Sequence, residues 1–440
     1  MPKGARRRHA LAQWRWLVPG LRVKRFGFQL ALGCLLIIIG FYQYARVGPG
    51  RAFYSQVGQT LSNIAIPGLP SWVLGAMVVG AGVWLAWSAV IRLNRSILAA
   101  MASQPGDTLE TLFRKRTLGR GPRVVAIGGG TGLSNLLSGL KVFTANLSAI
   151  VAVTDDGGSS GRLRRSLGMP APGDLTDCIA ALSDSPALAK LLLHRFQRGD
   201  GLSGHTFGNL LLATLADQRG DFAEAILAVN DILNVRGRVF PATATPATLI
   251  ATIEGGDQVA GESTLREREN RGAIRRMQLD PPDVRAVPGA KEAVSQADLI
   301  VLGPGSLYTS VTPPLLIPDL AAAIRVARAP VVYVCNIMTE AGETDGLSAL
   351  GHVRAVQEHL GRSPDVVLLN NAPISEETLA RYRLEGAERL EVDETALMQV
   401  GIRVVFAPLT RRGQGQHDPR ALAVALVRLL LEGRLPSASA

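Results

Sequence analysis

A chain of 440 residues has room for two domains, or for one large domain with additions. Its net charge of +11 is unevenly placed: residues 1–123 carry 17 Lys and Arg against 2 Asp and Glu, and residues 124–440 carry 30 against 34. The larger part therefore lacks the basic face of a nucleic-acid-binding domain, and three cysteines without metal-ligand spacing (Cys34, Cys178, Cys335) fit a reducing compartment rather than a disulfide framework.

Residues 1–25 form a basic arm. Two uncharged apolar runs follow, Phe26–Tyr44 and Ser71–Ile91, each long enough to cross about 30 Å of hydrocarbon as a helix. Tyr42, Tyr44, Trp72 and Trp87 lie near their ends, where aromatic rings favour the interface. Basic residues number 8 before the first run, 2 between the runs and 7 after the second. The pattern predicts a transmembrane hairpin over 26–91 in the cytoplasmic membrane, with both chain ends and the main domain in the cytoplasm. Residues 92–122, broken by Gln104-Pro105-Gly106, read as a linker.

From residue 123 on, short runs rich in Val, Ile and Leu alternate with segments of helical length. Strands are expected at Val124–Ile127, Ala149–Val153, Leu249–Ile253, Leu299–Leu302, Val331–Cys335, Val366–Leu369 and Arg403–Phe406. The fold class is α/β: a Rossmann-like, mostly parallel sheet with helices on both faces, whose ligands sit beyond the C-terminal strand ends.

The polar motifs fall at those ends. Gly128-Gly129-Gly130-Thr131-Gly132 joins the first strand to a helix, a way of bringing backbone N–H groups to a phosphate. Thr154-Asp155-Asp156-Gly157-Gly158-Ser159-Ser160 follows the second strand and suits a ribose, a metal or a second phosphate, or simply a tight turn. Asp174, in Pro172-Gly173-Asp174, reads as the cap of the helix running through Ala181. His205 and Asn209, in GHTFGN, suit phosphate binding or acid–base work, or a structural loop. Arg236 and Arg238 share a face if extended, meeting a ligand or solvent. Arg266–Arg276, with five arginines against two glutamates, reads as an exposed helix or loop. Gly303–Ser310 is a second phosphate-type loop, and Asn336 and Asn370 end later strands. The dehydrogenase fingerprint does not fit: GGGTGL departs from G-x-G-x-x-G at Leu133, and the acidic pair follows Gly128 by 27 and 28 residues rather than about 20.

Residues 123–440 resemble the CofD superfamily, and more closely its YvcK-type gluconeogenesis factors. The resemblance rests on VVAIGGGTGLSNLLSGLK, AVTDDGGSSGRLR, PGDL, GHTFGNLLL, VLGPGSLYTSV, CNIMTEAGETDG and HDP at 417–419. It implies a UDP-sugar-binding regulator, with UDP-N-acetylglucosamine as ligand, that supports cell shape and wall synthesis during gluconeogenic growth. By matching motif, the nucleotide would meet Gly129, Gly130, Thr131, Gly132, Thr154, Asp155, Asp156, Gly157, Ser160, Asn209, Gly305, Ser306 and Asn336. That reading needs no cofactor. The sister branch implies an alternative, a Mg2+-dependent transferase of a phospholactyl-type group, with the metal on Asp155 or Asp156 and with Asp155, Asp156 and His205 catalytic. Expected partners are the nucleotide sugar, the lipid bilayer, cell-wall synthesis proteins and a second copy of the chain, and no nucleic acid. The resemblance stops near residue 120, and most relatives of this type lack the hairpin.

Overall fold

The computed structural model describes residues 23–44, 77, 79–91, 118–233, 235–268, 272–411 and 414–431. It divides into two units, Met1–Arg114 and Lys115–Ala440.

In the first unit, helix Val23–Tyr44 covers the first apolar run, and a shorter apolar helix spans Val79–Ile91. Their backbones meet at glycines. A Cβ on Gly33 would lie 2.9 Å from the Gly82 carbonyl oxygen, and one on Gly82 2.8 Å from that of Gly33. Small residues thus form the seam, while Leu35, Ile38, Val83, Trp84 and Trp87 point outward and are exposed. Among the described residues no single helix is long and apolar enough to cross a membrane. The expected hairpin is therefore not established by these helices. Residues 1–22 of the basic arm, the loop between the runs, the start of the second run and most of the linker lie outside the described residues.

The second unit is built on a seven-stranded, all-parallel sheet. Its strands are β1 (Val124–Gly128), β2 (Leu147–Val151), β3 (Arg238–Pro241), β7 (Leu299–Leu302), β8 (Val331–Val334), β9 (Val366–Asn370) and β10 (Arg403–Ala407), in the order β10-β9-β8-β7-β1-β2-β3. The central strands are buried on both faces, as their unbroken Val/Ile/Leu runs require. Val125 and Ile127 of β1 join one core and Val124 and Ala126 the other, so alternate residues divide between two layers.

The stretch at Leu249–Ile253 is not part of this sheet. It is β4 (Thr248–Ile253), the centre of a three-stranded antiparallel sheet with β5 (Gln258–Ala260) and β6 (Ile274–Asp280). Its burial alternates: Leu249, Ala251 and Ile253 face the core, and Thr248, Ile250 and Thr252 do not. That is the period of a one-sided sheet. The arginine-rich stretch Arg266–Arg276 begins in the short helix Glu262–Glu267, and only its last three residues enter β6, where Ile274, Met277 and Leu279 point inward and Arg275 pairs with Glu254 outside.

The chain leaves β1 toward β2 and β3, then returns to β7 on the other side of β1. This reversal opens a crevice at the C-terminal ends of β1 and β7, where doubly wound sheets hold ligands.

Candidate functional site

A cavity of about 470 Å³ occupies that crevice. Loops after β1, β2, β7 and β8 line it, joined by Glu262 and Arg266 of the short helix after β5 and by Tyr382, Gln416 and His417.

The glycine stretch is dictated by close approach. Helix α1 (Gly130–Leu140) starts directly after β1. Gly130 has φ +61°, which favours glycine. A Cβ on Gly129 would overlap Asp174 Oδ2, and one on Gly132 would overlap the Pro304 carbonyl oxygen. The Gly130 N–H donates to Asp174 Oδ2 at 2.7 Å. One donor of the α1 N-terminus is thus already taken, and Asp174 serves α1 rather than capping its own helix, whose N-cap is Pro172. Burial raises Asp174 to about 7, against the lowering effect of that hydrogen bond. Asp177, one helical turn on, also lines the cavity and is raised to about 6 by burial. Gly129, Gly130, Thr131 and Gly132 all line the cavity, as expected.

The motif after β2 divides. Asp155 lines the cavity, with Oδ1 accepting the Gly157 N–H at 3.0 Å. Asp156 turns away and accepts the Ser263 N–H at 2.9 Å. Thr154, Gly157 and Ser160 are not among the lining residues. Thr154 and Ser160 are buried, and Arg164 clamps the loop by donating to the Thr154 and Ala247 carbonyls at 2.6 and 2.8 Å. Of the proposed metal ligands, Asp155 alone faces the cavity, and among the described residues no three His, Cys, Asp or Glu side chains are grouped to hold a metal. Asp155 suits an ion held mainly by a ligand's phosphates, as Mg2+ commonly is, and Asp156 does not.

The GHTFGN segment lies behind the site. Arg162 Nε donates to His205 Nε2 at 3.1 Å, which leaves the Nδ1 proton to reach Ser159 Oγ at 2.9 Å. Asn209 Nδ2 also donates to Ser159 Oγ, at 3.0 Å, and Thr176 Oγ1 donates to Asn209 Oδ1 at 2.9 Å. Burial, then Arg162 and Arg195, lowers the His205 pKa. The chain Arg162–His205–Ser159–Asn209–Thr176 ties together three helices, α2 (Gly158–Leu167), α3 (Gly173–Leu182) and α4 (Phe207–Arg219). Neither His205 nor Asn209 lines the cavity.

Gly305 and Ser306, after β7, and Asn336, after β8, do line it. Asn336 Nδ2 donates to Glu340 Oε1 at 3.2 Å. Asn370 is spent on the Ala372 and Leu409 amides, and Arg236 pairs with Asp184 at 2.6 Å, so neither reaches the site.

Sequence reasoning missed the acidic wall. Glu262 is raised to about 8 and Glu343 to about 7, each chiefly by burial, and burial also raises Glu340. Arg266 lies among them. Only the i, i+4 spacing of Glu262 and Arg266 hinted at this pair. His417 also lines the cavity; burial lowers it to about 4, and its Nε2 is buried without a hydrogen-bond partner among the described residues.

A parallel α/β sheet with a glycine-lined cavity at its switch point defines a Rossmann-like protein. The model of the family described as 2-phospho-L-lactate transferase CofD matches residues 124–410. The chain is 42% identical over 319 residues to the gluconeogenesis factor of Bacillus subtilis, covering 72% of this chain and 100% of that protein. It is 49% identical over 415 residues to a Deinococcus radiodurans relative named for the same factor, covering 94% of this chain and 89% of that one. A crystal structure of a Bacillus halodurans protein, 43% identical, superposes with a TM-score of 0.68 and covers 70% of this chain and 100% of that one. The chain belongs to the CofD family, in its gluconeogenesis-factor group. An alignment of 415 residues also reaches well into residues 1–120, so the likeness extends beyond the domain to which the motifs confined it.

Proposed function

We propose that the chain binds a nucleotide sugar, with UDP-N-acetylglucosamine as its ligand, and acts as a regulator of cell shape and wall synthesis under gluconeogenic growth. The observation that carries this reading is the convergence of four strand-end loops on one cavity large enough for part or all of such a ligand. The first turn of α1 offers the N–H groups of Thr131 and Gly132, that of Gly130 being held by Asp174, and Gly305 and Ser306 line the same cavity from the loop after β7. Asn336 and Asp155 supply polar partners for sugar hydroxyls. Binding of UDP-N-acetylglucosamine to the full-length chain, measured by calorimetry, tests the reading. Micromolar binding supports it, and no heat change at millimolar ligand would remove it.

A second reading is supported by the raised carboxyls. Glu262 and Asp174 hold protons near neutral pH and line the same cavity as Asp155, which is a setting for group transfer. On that reading Mg2+ would neutralise phosphate charge, Asp155 would supply its carboxylate, and Asp174 or Glu262 would exchange the proton. His205 and Asp156 are too engaged elsewhere to take part.

We also propose that the N-terminal unit attaches the chain to the cytoplasmic membrane. Its small-residue seam and outward Leu, Ile and Trp side chains support this, because helices in lipid pack through small residues and expose large apolar ones. The site would then work beside wall synthesis proteins at the inner membrane face.

A further inference from the structure

Among the described residues, Arg266 is the one arginine or lysine lining the cavity. Its guanidinium carries five N–H groups in a rigid fork. Nη2 lies 2.8 Å from Glu262 Oε1 and 3.3 Å from Thr309 Oγ1, and Nε lies 3.3 Å from Glu343 Oε1. Thr309 Oγ1 donates in turn to Glu343 Oε1 at 3.0 Å. Three of the five N–H groups are thereby held. The two on Nη1 have no hydrogen-bond partner among the described residues.

The burial is one-sided. The Glu262 and Glu343 side chains are 9% and 2% exposed, whereas that of Arg266 is 51% exposed. An arginine serving only to tie its helix to the loop after β8 would bury its whole fork between its partners. Here the partners hold Nε and Nη2, and Nη1 is left without one among the described residues on a side chain that lines the cavity. The surrounding wall is acidic, with Asp155, Asp174, Asp177 and Glu340 also lining the space, so among the described residues Arg266 is the cation an anionic ligand meets there.

We propose that Arg266 is the specificity-determining residue of the cavity: held by Glu262, Thr309 and Glu343, it presents Nη1 to a phosphate and so separates phosphorylated nucleosides from unphosphorylated ones. The proposal rests on the nucleotide-sugar reading and adds the residue that recognises the phosphate. Glu262, Thr309 and Glu343 are positioning residues. Lysine is only a partial substitute, because an ammonium group has no fixed fork with which to serve Glu262, Glu343 and a phosphate together.

The test is calorimetric titration of full-length wild type, Arg266→Met, Arg266→Lys and Glu343→Gln with UDP-N-acetylglucosamine, uridine and inorganic pyrophosphate, with Tm measured alongside. The expected result is at least a tenfold loss of affinity for both phosphate-bearing probes in Arg266→Met, with uridine within twofold of wild type. Arg266→Lys recovers part of the loss, and Glu343→Gln falls between wild type and Arg266→Lys. If Arg266→Met does not fold, Arg266→Lys gives the same comparison. Pyrophosphate binding that needs Arg266, without UDP-N-acetylglucosamine binding, would overturn the nucleotide-sugar reading and leave the role of the arginine standing. Unchanged binding of both phosphate probes by the arginine variants would overturn the proposal, as would a wild type that binds neither.

Discussion

Two glycine-bracketed polar segments of this chain look alike in sequence and do different work. The stretch from Gly128 to Gly132 and the segment GHTFGN each set polar residues before an apolar helix. The first opens onto the cavity, while the second is buried behind it, with His205 and Asn209 hydrogen-bonded to Arg162, Ser159 and Thr176. What separates them is whether their polar groups find partners inside the protein. A buried group that is fully hydrogen-bonded stabilises a scaffold, and one facing a cavity is left for a ligand.

Asn209→Ala is the largest expected disturbance. It leaves Ser159 and Thr176 short of partners in a buried network and lowers stability by about 3 kcal/mol in denaturant unfolding. Affinity for UDP-N-acetylglucosamine in the folded fraction stays within about twofold, since Asn209 does not line the cavity. A large affinity loss with unchanged stability would reverse the comparison.

The acidic wall gives a pH signature of intermediate size. Glu262 keeps its proton to about 8 in the folded chain, against an ordinary value of 4.5. Between those values the folded state holds a proton that the unfolded chain has shed, so stability falls as pH rises through the window. Asp174 and Glu343, each raised to about 7, act in the same direction. Tm should therefore drop by several degrees between pH 5 and 8 under constant salt, and Glu262→Gln should flatten the slope. A wild-type Tm that rises steadily across this range would contradict the assignment.

The smallest effect on stability belongs to the cavity rim. Asp155→Ala should weaken UDP-N-acetylglucosamine binding about tenfold, or about 1.4 kcal/mol, while Tm moves by no more than about 2 °C. Asp156→Ala should do the opposite, because its carboxylate holds the Ser263 amide rather than facing the cavity. Calorimetry and thermal unfolding on the two neighbours would show whether the motif divides as the geometry requires.

The parallel sheet was legible because β1, β7 and β8 are unbroken runs of apolar residues, which only a strand buried on both faces needs. The antiparallel sheet was not, because β6 carries Arg275, Arg276 and Gln278 outward and reads as a charge run until the inward Ile274, Met277 and Leu279 are paired with β4. In the site, glycines and strand-end polar residues marked the loops after β1, β7 and β8 and picked out Asp155. Arg266 stayed hidden because its partner Glu343 is 77 residues away and reaches it only through the fold. Asp174 was misread because a carboxylate in the first turn of a helix looks like that helix's cap, and nothing local reveals that it serves Gly130, 44 residues earlier.

The most direct test of the central claim is a crystal structure of the chain with UDP-N-acetylglucosamine. The account predicts the diphosphate between the Gly129–Gly132 turn and Gly305–Ser306, with one phosphate oxygen within hydrogen-bond distance of Arg266 Nη1. A ligand bound elsewhere, with this cavity left to solvent, would contradict it.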